Sequence, residues 1–193
     1  MITFINDSDD KPIAMFHKIY QKAFDKKQNN IEAIAISSYD SINKNVNSRF
    51  VNLKIIDNNE FIFFKNYESI KANEFKSHNQ ISVLIFWPSI NTQIRMKAHI
   101  KRKSEQFNRV YFKNRAKEKN ALAISSRQSK KIESFNKVKD NYSIALERKD
   151  LSVCPKYWGG YSFLPYEIEF WKGSEFRLNK RDLYKKNKTF WDH

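Results

Sequence analysis

The sequence predicts a mainly β, α+β fold in which an antiparallel β-barrel carries peripheral helices. Short runs rich in Ile, Val and Phe dominate the first half of the chain and predict strands. Most connections between these runs are too short for repeated βαβ crossovers, and no internal repeat is visible, which favours antiparallel pairing. We therefore expect a single domain over residues 1–193, with an N-terminal helix within 1–28 and a C-terminal hairpin and tail over 161–193.

Strand-like runs fill the chain between the first helix and residue 101. Four of them are short and apolar, bounded by polar stretches, and the fifth alternates between apolar and polar residues. They span 31–38, 48–56, 60–67, 80–87 and 93–101. In the fifth run Ile94, Met96 and Ala98 lie on one side and polar or charged residues on the other. One face of this strand is therefore expected to contact solvent.

Helical periodicity predicts a first helix over residues 11–27. This segment places apolar side chains three and four positions apart, directly after Asp10 and Pro12, which are typical of a helix start. Further helices are expected over 68–78, after the N-cap residue Ser104, and within 130–149. The middle of the chain is therefore expected to be helical.

The C-terminal part predicts two strands joined by a tight turn. The strand pattern covers 161–171 and 175–185, with Gly173 between them. Glycine can take the positive φ that tight turns use, so Gly173 is expected to do so. In the second strand the alternation places Arg177, Asn179 and Arg181 on one face.

Composition excludes several classes of protein. A hydrophobic fraction of 40% with 16 Phe is typical of a chain that folds around a core. No apolar run approaches the roughly 20 residues of a membrane span, and the N-terminus lacks a signal-peptide pattern, so we expect a cytoplasmic protein with no membrane partner. Cys154 is the only cysteine, which excludes an intramolecular disulfide and a cysteine-based metal site. We expect no bound metal.

The net charge of +15 raises the question of a polyanionic partner. Lys residues are spread along the whole chain among many Asn and Ile, a pattern that codon usage alone can produce. We therefore do not expect a nucleic-acid partner. A noncatalytic basic binding module stays open as an alternative that rests on net charge alone.

A bound phosphate would need cationic side chains in this protein. The three glycines, at positions 159, 160 and 173, lie in no glycine-rich phosphate loop. Arginine, lysine, hydroxyl groups and helix N-termini can hold phosphate instead. Arg49 within SRFVNLK and Arg181 within EFRLNKR place cations in strand-like runs. A solvated strand face explains the same alternation, so spacing alone does not identify a site.

Several segments, taken in order, resemble the pyridoxamine 5'-phosphate oxidase family. They are KPIAMFHKIYQKA, SRFVNLK, FIFFKNYESIKANE, TQIRM, YFKNRA, AISSRQSKKI, PKYWGGYSFLPYEIEFWKG and RLNKR. Several motifs in register are far more specific than any one of them. The resemblance implies an antiparallel split β-barrel that forms a homodimer, with FMN bound at the subunit interface.

The resemblance also implies which residues bind the cofactor and the substrate. FMN contacts are expected from Arg49, Phe50, Val51, Lys54, Phe64, Lys65, Lys71, Gln93, Gln128, Ser129, Trp171 and Arg181. Substrate contacts are expected from Lys54, Tyr111, Arg115, Lys119, Arg177 and Asn179, with Arg177 and Asn179 as the catalytic pair. These residue types suit the task, because Arg and Lys neutralise phosphate and an indole offers a flat apolar wall.

The implied reaction is FMN-dependent oxidation of pyridoxine or pyridoxamine 5'-phosphate to pyridoxal 5'-phosphate, with oxygen as the electron acceptor. The substrate loses a hydride from its C4' carbon, and the flavin carries the redox chemistry. The protein therefore has to hold two rings together and fix the phosphorylated end of the substrate. No protein nucleophile is required.

Four departures from the family pattern affect these expectations. The Arg of the family's Arg-Lys pair is Ile70, which predicts weaker FMN binding. A motif His is Asn179, a substrate-phosphate Ser is Lys119, and a tail ending in Arg-Leu-x-Pro is expected where this chain stops at His193. These changes keep two alternatives open. One is an FMN-dependent oxidase or reductase of another anionic aromatic substrate, similar to the phenazine-biosynthesis oxidases, and the other is a weakly active or inactive flavin-binding paralogue.

Overall fold

The structure is a computed structural model that describes residues 1–125, 132–147 and 150–193, without the side chains of Ile70, Lys71 and Glu175. Its helices are α1 Lys11–Asp25, α2 Ile70–Ser77, α3 Glu105–Lys113, α4 Lys117–Ser125 and α5 Phe135–Leu146. Its strands are β1 Thr3–Phe4, β2 Ala33–Asp40, β3 Asn45–Asp57, β4 Glu60–Asn66, β5 Gln80–Trp87, β6 Thr92–Arg102, β7 Trp158–Lys172, β8 Lys180–Lys186 and β9 Trp191–Asp192. The predicted strands before residue 101 and the four predicted helices are confirmed.

The strands form one sheet that closes on itself. Its order is β1-β3-β2-β5-β6-β7-β8-β9, and β4 pairs with both β3 and β7. Six strands therefore complete a ring, β3-β2-β5-β6-β7-β4. Strand β3 pairs antiparallel with β2 and β4, β5 with β2 and β6, and β8 with β7 and β9, whereas the short β1 runs parallel to β3. The predicted antiparallel barrel is confirmed.

The inner face of the sheet is the apolar half of each alternating strand. In β6, Ile94, Met96 and Ala98 are buried, whereas the residues between them contact solvent. Buried residues of β2, β3, β5 and β7 continue this core, among them Ile34, Ile36, Leu53, Val83, Ile85 and Phe163. A strand period of two thus separates a packed inner face from an outer face that carries polar and aromatic side chains.

Contacts between Cα atoms divide the chain into two compact units, and each is described by itself. The first unit contains Met1–Phe63, Glu74–Lys101 and Ser162–His193, and the second contains Phe64–Asn73 and Arg102–Tyr161. The expectation of a single domain stays a prediction.

In the first unit, α1 packs on the sheet through its aromatic side chains. Pro12 occupies the first turn, where a missing backbone N–H costs nothing, and the preceding Asp10 is extended, as expected at a helix start. The ring of Phe16 meets Phe61 edge-on at 5.2 Å, and Tyr20 meets Trp87 at 5.9 Å. The helix ends at Asp25, two residues before its predicted end.

In the second unit, short helices are fixed by caps and by a small apolar cluster. The Ser104 hydroxyl accepts a hydrogen bond from the Phe107 backbone N–H at 3.2 Å, which confirms the predicted N-cap of α3. Helices α4 and α5 pack through Ala121, Ala145 and Leu151. Helix α4 was not predicted as an element of its own.

The glycine pair of this unit allows a close approach of polar side chains. A Cβ added to Gly159 would lie 2.3 Å from both the Tyr67 hydroxyl and the Asn108 amide nitrogen. Tyr67 donates to the Gly160 carbonyl at 2.8 Å, and the Gly160 N–H donates to Asn108 at 2.8 Å. Any larger residue at position 159 would displace this network.

The connection between β7 and β8 differs from the predicted tight turn. Strand β8 begins only at Lys180, and the φ of Gly173 is not positive; instead Phe176 and Arg177 have φ of 58° and 59°. Gly173 is needed for space, because an added Cβ would lie 2.3 Å from the Asn91 amide nitrogen. The strand predicted over 175–179 is therefore wrong: its apolar members Phe176 and Leu178 are 91% and 81% exposed and find no core to pack against.

Two negative findings apply to the described part of the chain. No helix there is both long and apolar enough to cross a membrane. No group of three or more His, Cys, Asp or Glu side chains in those same residues could hold a metal ion.

Candidate functional site

Three predicted cofactor residues form a row on the outer face of the sheet. Trp171 of β7 lies directly opposite Arg181 of β8. Strand β7 also neighbours β6, and the ion pairs Lys97–Glu167 and Arg95–Glu169 fix how these two strands are aligned. One step further along the same face, this alignment places Gln93 beside Trp171. An amide, an indole and a guanidinium therefore lie side by side across three strands.

Exposed apolar side chains continue this outer face. Phe86 of β5 is opposite Gln93, and Leu84 is opposite Arg95. Leu84 and Phe50 are both paired with Ala35 of β2, so the same face reaches β3. Phe50, another predicted cofactor residue, is 75% exposed, and Leu84 and Phe86 are exposed as well. We call the outer-face set Phe50, Leu84, Phe86, Gln93, Trp171 and Arg181 the open face.

Arg49 lies on the other side of β3, on the inner face with Val51 and Leu53. Its Nη2 atom donates to both carboxylate oxygens of Glu74, at 3.0 and 3.3 Å. Its Nε atom is buried and has no hydrogen-bond partner among the described residues. Val51 is buried opposite Ile34, so its side chain serves the core. Within one chain, Arg49 and Arg181 therefore do not share a face of the sheet.

Lys54 pairs with an acidic residue instead of standing free. Its Nζ lies 2.7 Å from Glu32, which also contacts the N-terminal ammonium group of Met1 at 2.5 Å. Partial burial opposes ionisation of Glu32, but the hydrogen bonds and charges of Lys54 and the N-terminus outweigh it and lower the pKa of this carboxyl. A phosphate at Lys54 would therefore have to compete with Glu32.

In the second unit, a stack of aromatic rings contains two of the predicted ligand residues. Phe64 lies face to face with Tyr111, with ring centroids 3.7 Å apart and planes at 12°. The Trp158 ring is nearly parallel to that of Phe64, with centroids 5.1 Å apart, and lies 6.4 Å from the Tyr111 ring. Burial raises the pKa of the Tyr111 phenol, although the nearby Arg115 charge opposes this shift. Tyr111 is therefore a neutral hydrogen-bonding group at physiological pH.

Arg115 lies just beyond the C-terminal end of α3, the helix that carries Tyr111, and is held by an aromatic ring and an amide. Its guanidinium lies 4.6 Å from the Trp158 ring centroid and donates to the Asn120 amide oxygen at 3.2 Å. No acidic side chain among the described residues forms an ion pair with it. Burial disfavours the charged form and lowers the pKa of this guanidinium.

Asn120 is a buried residue that sequence reasoning missed. Its amide nitrogen donates to the Phe112 and Leu151 carbonyls, both at 2.9 Å, which leaves its oxygen directed at Arg115. Sequence reasoning also missed Glu74 and Trp158. Glu74 contacts Arg49 and Trp158 contacts Arg115, and in each case the partner is distant in sequence. The one local signal was for Trp158, which begins the WGG segment of the quoted PKYWGGY motif.

The remaining predicted residues are less organised. Lys119 of α4, Arg177 and Asn179 are exposed, and the Asn179 oxygen accepts a hydrogen bond from the Ser174 N–H at 3.3 Å. Lys65 is half-buried on β4. Gln128, Ser129 and the Lys71 side chain lie outside the described residues. The structure thus assembles Gln93, Trp171 and Arg181 in one place, and Phe64, Tyr111 and Arg115 in another.

Comparisons with known proteins agree with this architecture. Residues 158–193 match the model of the pyridoxine 5'-phosphate oxidase C-terminal dimerisation region. A pyridoxine/pyridoxamine 5'-phosphate oxidase of Paraburkholderia phytofirmans is 33% identical over 181 residues, covering 93% of this chain and 84% of that protein.

Two solved structures share the fold. PhzG from Burkholderia lata, in complex with tetrahydrophenazine-1-carboxylic acid, superposes with a TM-score of 0.87 at 24% identity, covering 96% of this chain and 92% of the other. A pyridoxamine 5'-phosphate oxidase-related, FMN-binding protein of Nostoc punctiforme gives a TM-score of 0.75 at 13% identity, covering 92% and 94%. The chain therefore belongs to the pyridoxine/pyridoxamine 5'-phosphate oxidase family of oxidoreductases.

Proposed function

We propose that this protein is a homodimer that binds FMN and oxidises pyridoxine or pyridoxamine 5'-phosphate to pyridoxal 5'-phosphate, with oxygen as the electron acceptor. The observation that carries the proposal is the row of Gln93, Trp171 and Arg181 on the open face. It offers an amide for the polar edge of a flavin, an indole for its plane and a cation for a phosphate.

The open face also supports the homodimer. Phe50, Leu84 and Phe86 expose apolar surface on a sheet whose other face is packed, and contiguous exposed apolar surface marks interaction sites. The matched dimerisation region spans residues 158–193, which include Trp171 and Arg181 of the same face. A second copy of the chain is the occupant that both observations favour.

The residues around Arg49 fit a phosphorylated cofactor. Buried polar atoms are nearly always hydrogen-bonded, and the Arg49 Nε is a buried donor without a partner among the described residues. A phosphate oxygen would supply the missing acceptor. In this proposal Arg49 contacts the cofactor's anionic end. The further FMN contacts that the family resemblance implies are Phe50, Val51, Lys54, Phe64, Lys65, Lys71, Gln128 and Ser129.

The second unit suits the phosphorylated end of the substrate. Arg115 supplies a charge without a carboxylate partner in the described chain, and Tyr111, in the last turn of the preceding helix α3, supplies a neutral hydroxyl. Lys119 adds a flexible point charge next to Asn120. In the same proposal Lys54 contributes to phosphate binding, Arg177 lies over the pyridine ring, and Asn179 is a further substrate contact.

The chain's own contribution to the reaction is binding and orientation. Bound FMN would accept the two electrons that leave the C4' carbon of the substrate and pass them to oxygen. Arg115 and Tyr111 fix one end of the substrate, so its reacting carbon is held at a constant place. Asn179 can hydrogen-bond the substrate but cannot take up a proton near neutrality, so it orients rather than titrates.

Oxidation of another anionic aromatic compound is the second candidate. It is favoured by Lys119, an exposed cation where the family pattern has a serine, together with Ile70 and Asn179. The solved PhzG structure holds a tricyclic carboxylic acid, which is an anion of this class. A point charge serves a carboxylate as well as a phosphate.

The test is oxygen consumption by the purified protein loaded with FMN. With pyridoxine or pyridoxamine 5'-phosphate the proposal predicts oxygen uptake and formation of pyridoxal 5'-phosphate, which absorbs in the near ultraviolet. Uptake with an aromatic carboxylate and none with either phosphate ester would favour the second candidate. Retention of RNA at low salt without any flavin binding would favour a basic binding module instead.

A further inference from the structure

Glu74 is a buried acid in an unexpected place. It belongs to α2, its side chain is 1% exposed, and it lies against the arginine proposed to bind phosphate. A buried carboxylate is costly unless it is paired and hydrogen-bonded. A negative charge beside a phosphate site also opposes anion binding. The burial of an acid beside this arginine therefore calls for a physical explanation.

Three side chains from two strands satisfy the Glu74 carboxylate. One oxygen accepts from the Asn47 amide at 3.0 Å and from Arg49 at 3.3 Å. The other accepts from Arg49 at 3.0 Å and from the Ser38 hydroxyl. Ser38 belongs to β2, whereas Asn47 and Arg49 belong to β3. The carboxylate is thus fixed independently of Arg49, and its position is set by the sheet.

Glu74 accepts hydrogen bonds from one nitrogen of the Arg49 guanidinium and leaves the other nitrogens available to a ligand. Both contacts to Glu74 are made by Nη2, whereas Nε is buried with no partner among the described residues. The Arg49 side chain as a whole is 26% exposed, so the protein does not fully enclose it. A long arginine that is held at one nitrogen loses most of its rotamer freedom before any ligand arrives.

We propose that Glu74 is a positioning residue that holds the Arg49 guanidinium ready for the cofactor phosphate. The inference rests on the proposed FMN site and adds a residue to it. The role depends on where the acceptor oxygen lies, not on its negative charge, because a charge alone would weaken anion binding.

Two single variants separate position from charge. Glu74→Asp keeps the charge but withdraws the carboxylate by about 1.5 Å, one C–C bond length. The 3.0 and 3.3 Å contacts to Arg49 then exceed hydrogen-bonding distance. Glu74→Gln removes the charge but keeps the oxygen that accepts from Asn47 and, at 3.3 Å, from Arg49. Its amide nitrogen replaces the other oxygen, so it can donate to Ser38 but loses the 3.0 Å contact to Arg49. Both variants change the packed volume little, so both are expected to fold.

The measurement is the binding of FMN and of riboflavin, which lacks the phosphate, followed by quenching of flavin fluorescence. The quantity compared is the ratio of the riboflavin Kd to the FMN Kd. Glu74→Asp is expected to lower this ratio about tenfold, the effect of one lost charge-assisted hydrogen bond. Glu74→Gln is expected to keep at least one third of the wild-type ratio. Glu60→Gln is the control, since it neutralises a carboxylate that pairs with Lys101 at 2.9 Å on the same sheet.

The outcomes distinguish the inference from the proposed function. An unchanged ratio in Glu74→Asp, even with both affinities reduced, would show that Glu74 serves only the structure and would overturn the inference. A ratio that is unchanged in Glu74→Asp but falls in Glu74→Gln would also overturn the inference. The negative charge of Glu74, and not the position of its acceptor oxygen, would then determine phosphate binding. A wild-type protein that binds FMN no better than riboflavin would overturn the proposed phosphate site, and the inference with it.

Discussion

Arg49 in the first unit and Arg115 in the second are both proposed to meet a phosphate, yet their surroundings differ. Arg49 is ion-paired with a buried carboxylate, and a second strand hydrogen-bonds that carboxylate. Arg115 rests against an indole ring and an amide oxygen, and no acid among the described residues pairs with it. Glu74 therefore compensates the charge of Arg49 before any ligand binds, whereas no acid among the described residues compensates the charge of Arg115.

This difference indicates two ways to prepare a cation for an anion. At Arg49 the pairing fixes geometry and reduces the attraction to a ligand. At Arg115 burial without a counter-charge lowers the pKa, so a bound phosphate would restore the lost solvation. We expect Arg115 to contribute more binding energy per contact, and Arg49 more selectivity in orientation.

Removing the uncompensated charge should have the largest effect. Arg115→Ala is expected to raise the KM for pyridoxamine 5'-phosphate by roughly 10- to 150-fold, the equivalent of losing a charge-assisted contact of about 1.5–3 kcal/mol. FMN affinity should stay the same. Steady-state oxygen uptake measures the first quantity and flavin fluorescence the second. Lys113→Ala removes an exposed charge at the end of α3, close to Arg115 in sequence, and serves as the control; equal effects of both variants would contradict a specific role.

Removing the amide that supports Arg115 should act on stability. Asn120→Ala leaves the Leu151 carbonyl without its donor, whereas the Phe112 carbonyl still accepts from the Arg115 backbone N–H at 3.1 Å, and a buried unsatisfied group costs about 1–3 kcal/mol. Urea unfolding should therefore show a fall in the free energy of unfolding of at least about 1 kcal/mol. Lys119→Ala, one residue earlier and exposed, should leave this free energy unchanged. A fully stable Asn120→Ala protein would show that water replaces the amide.

Weakening the indole contact should produce a smaller change. Trp158→Phe keeps an aromatic ring against Arg115 but reduces the cation–π attraction, which is worth roughly 0.5–1 kcal/mol at partly exposed sites. The KM for the phosphate ester is therefore expected to rise about two- to fivefold. A KM increase as large as that of Arg115→Ala would mean that the ring, not the charge, dominates this site.

The smallest effect is expected at Lys54. Lys54→Met removes its ion pair with Glu32, and partly exposed pairs contribute at most about 1 kcal/mol. Because the pKa of Glu32 is lowered in the folded protein, this stabilisation is present above the ordinary carboxyl pKa of about 4.3 and is lost as the pH falls through the lowered value. Unfolding at pH 7 and at pH 3 tests this: the difference between wild type and variant should shrink at the lower pH.

Much of the fold could be predicted from the sequence because it follows local periodicity. The alternation of residues 93–101 identified the inner face of β6, and Asp10, Pro12 and Ser104 marked helix starts. The β7–β8 connection could not be predicted in this way, since Arg177, Leu178 and Asn179 imitate strand alternation. The close approach of Asn91 to Gly173 is visible only in three dimensions.

The candidate site was predictable only in part. The resemblance to a family predicted the cationic residues, but it did not predict the residues that hold them in place. Glu74 is 25 positions from Arg49 in sequence, and Trp158 is 43 positions from Arg115, so no local pattern links either pair. Supporting residues of this kind depend on which elements pack together, and a single sequence does not encode that in its spacing.

The most direct test of the central claim, that arginine side chains select a phosphorylated substrate, compares two substrates in one assay. Oxygen uptake by the FMN-loaded wild-type protein is measured with pyridoxamine 5'-phosphate and with pyridoxamine, which lacks the phosphate. We predict a kcat/KM at least about tenfold higher for the phosphate ester, the effect of one charge-assisted contact. Equal values for the two compounds would contradict the claim.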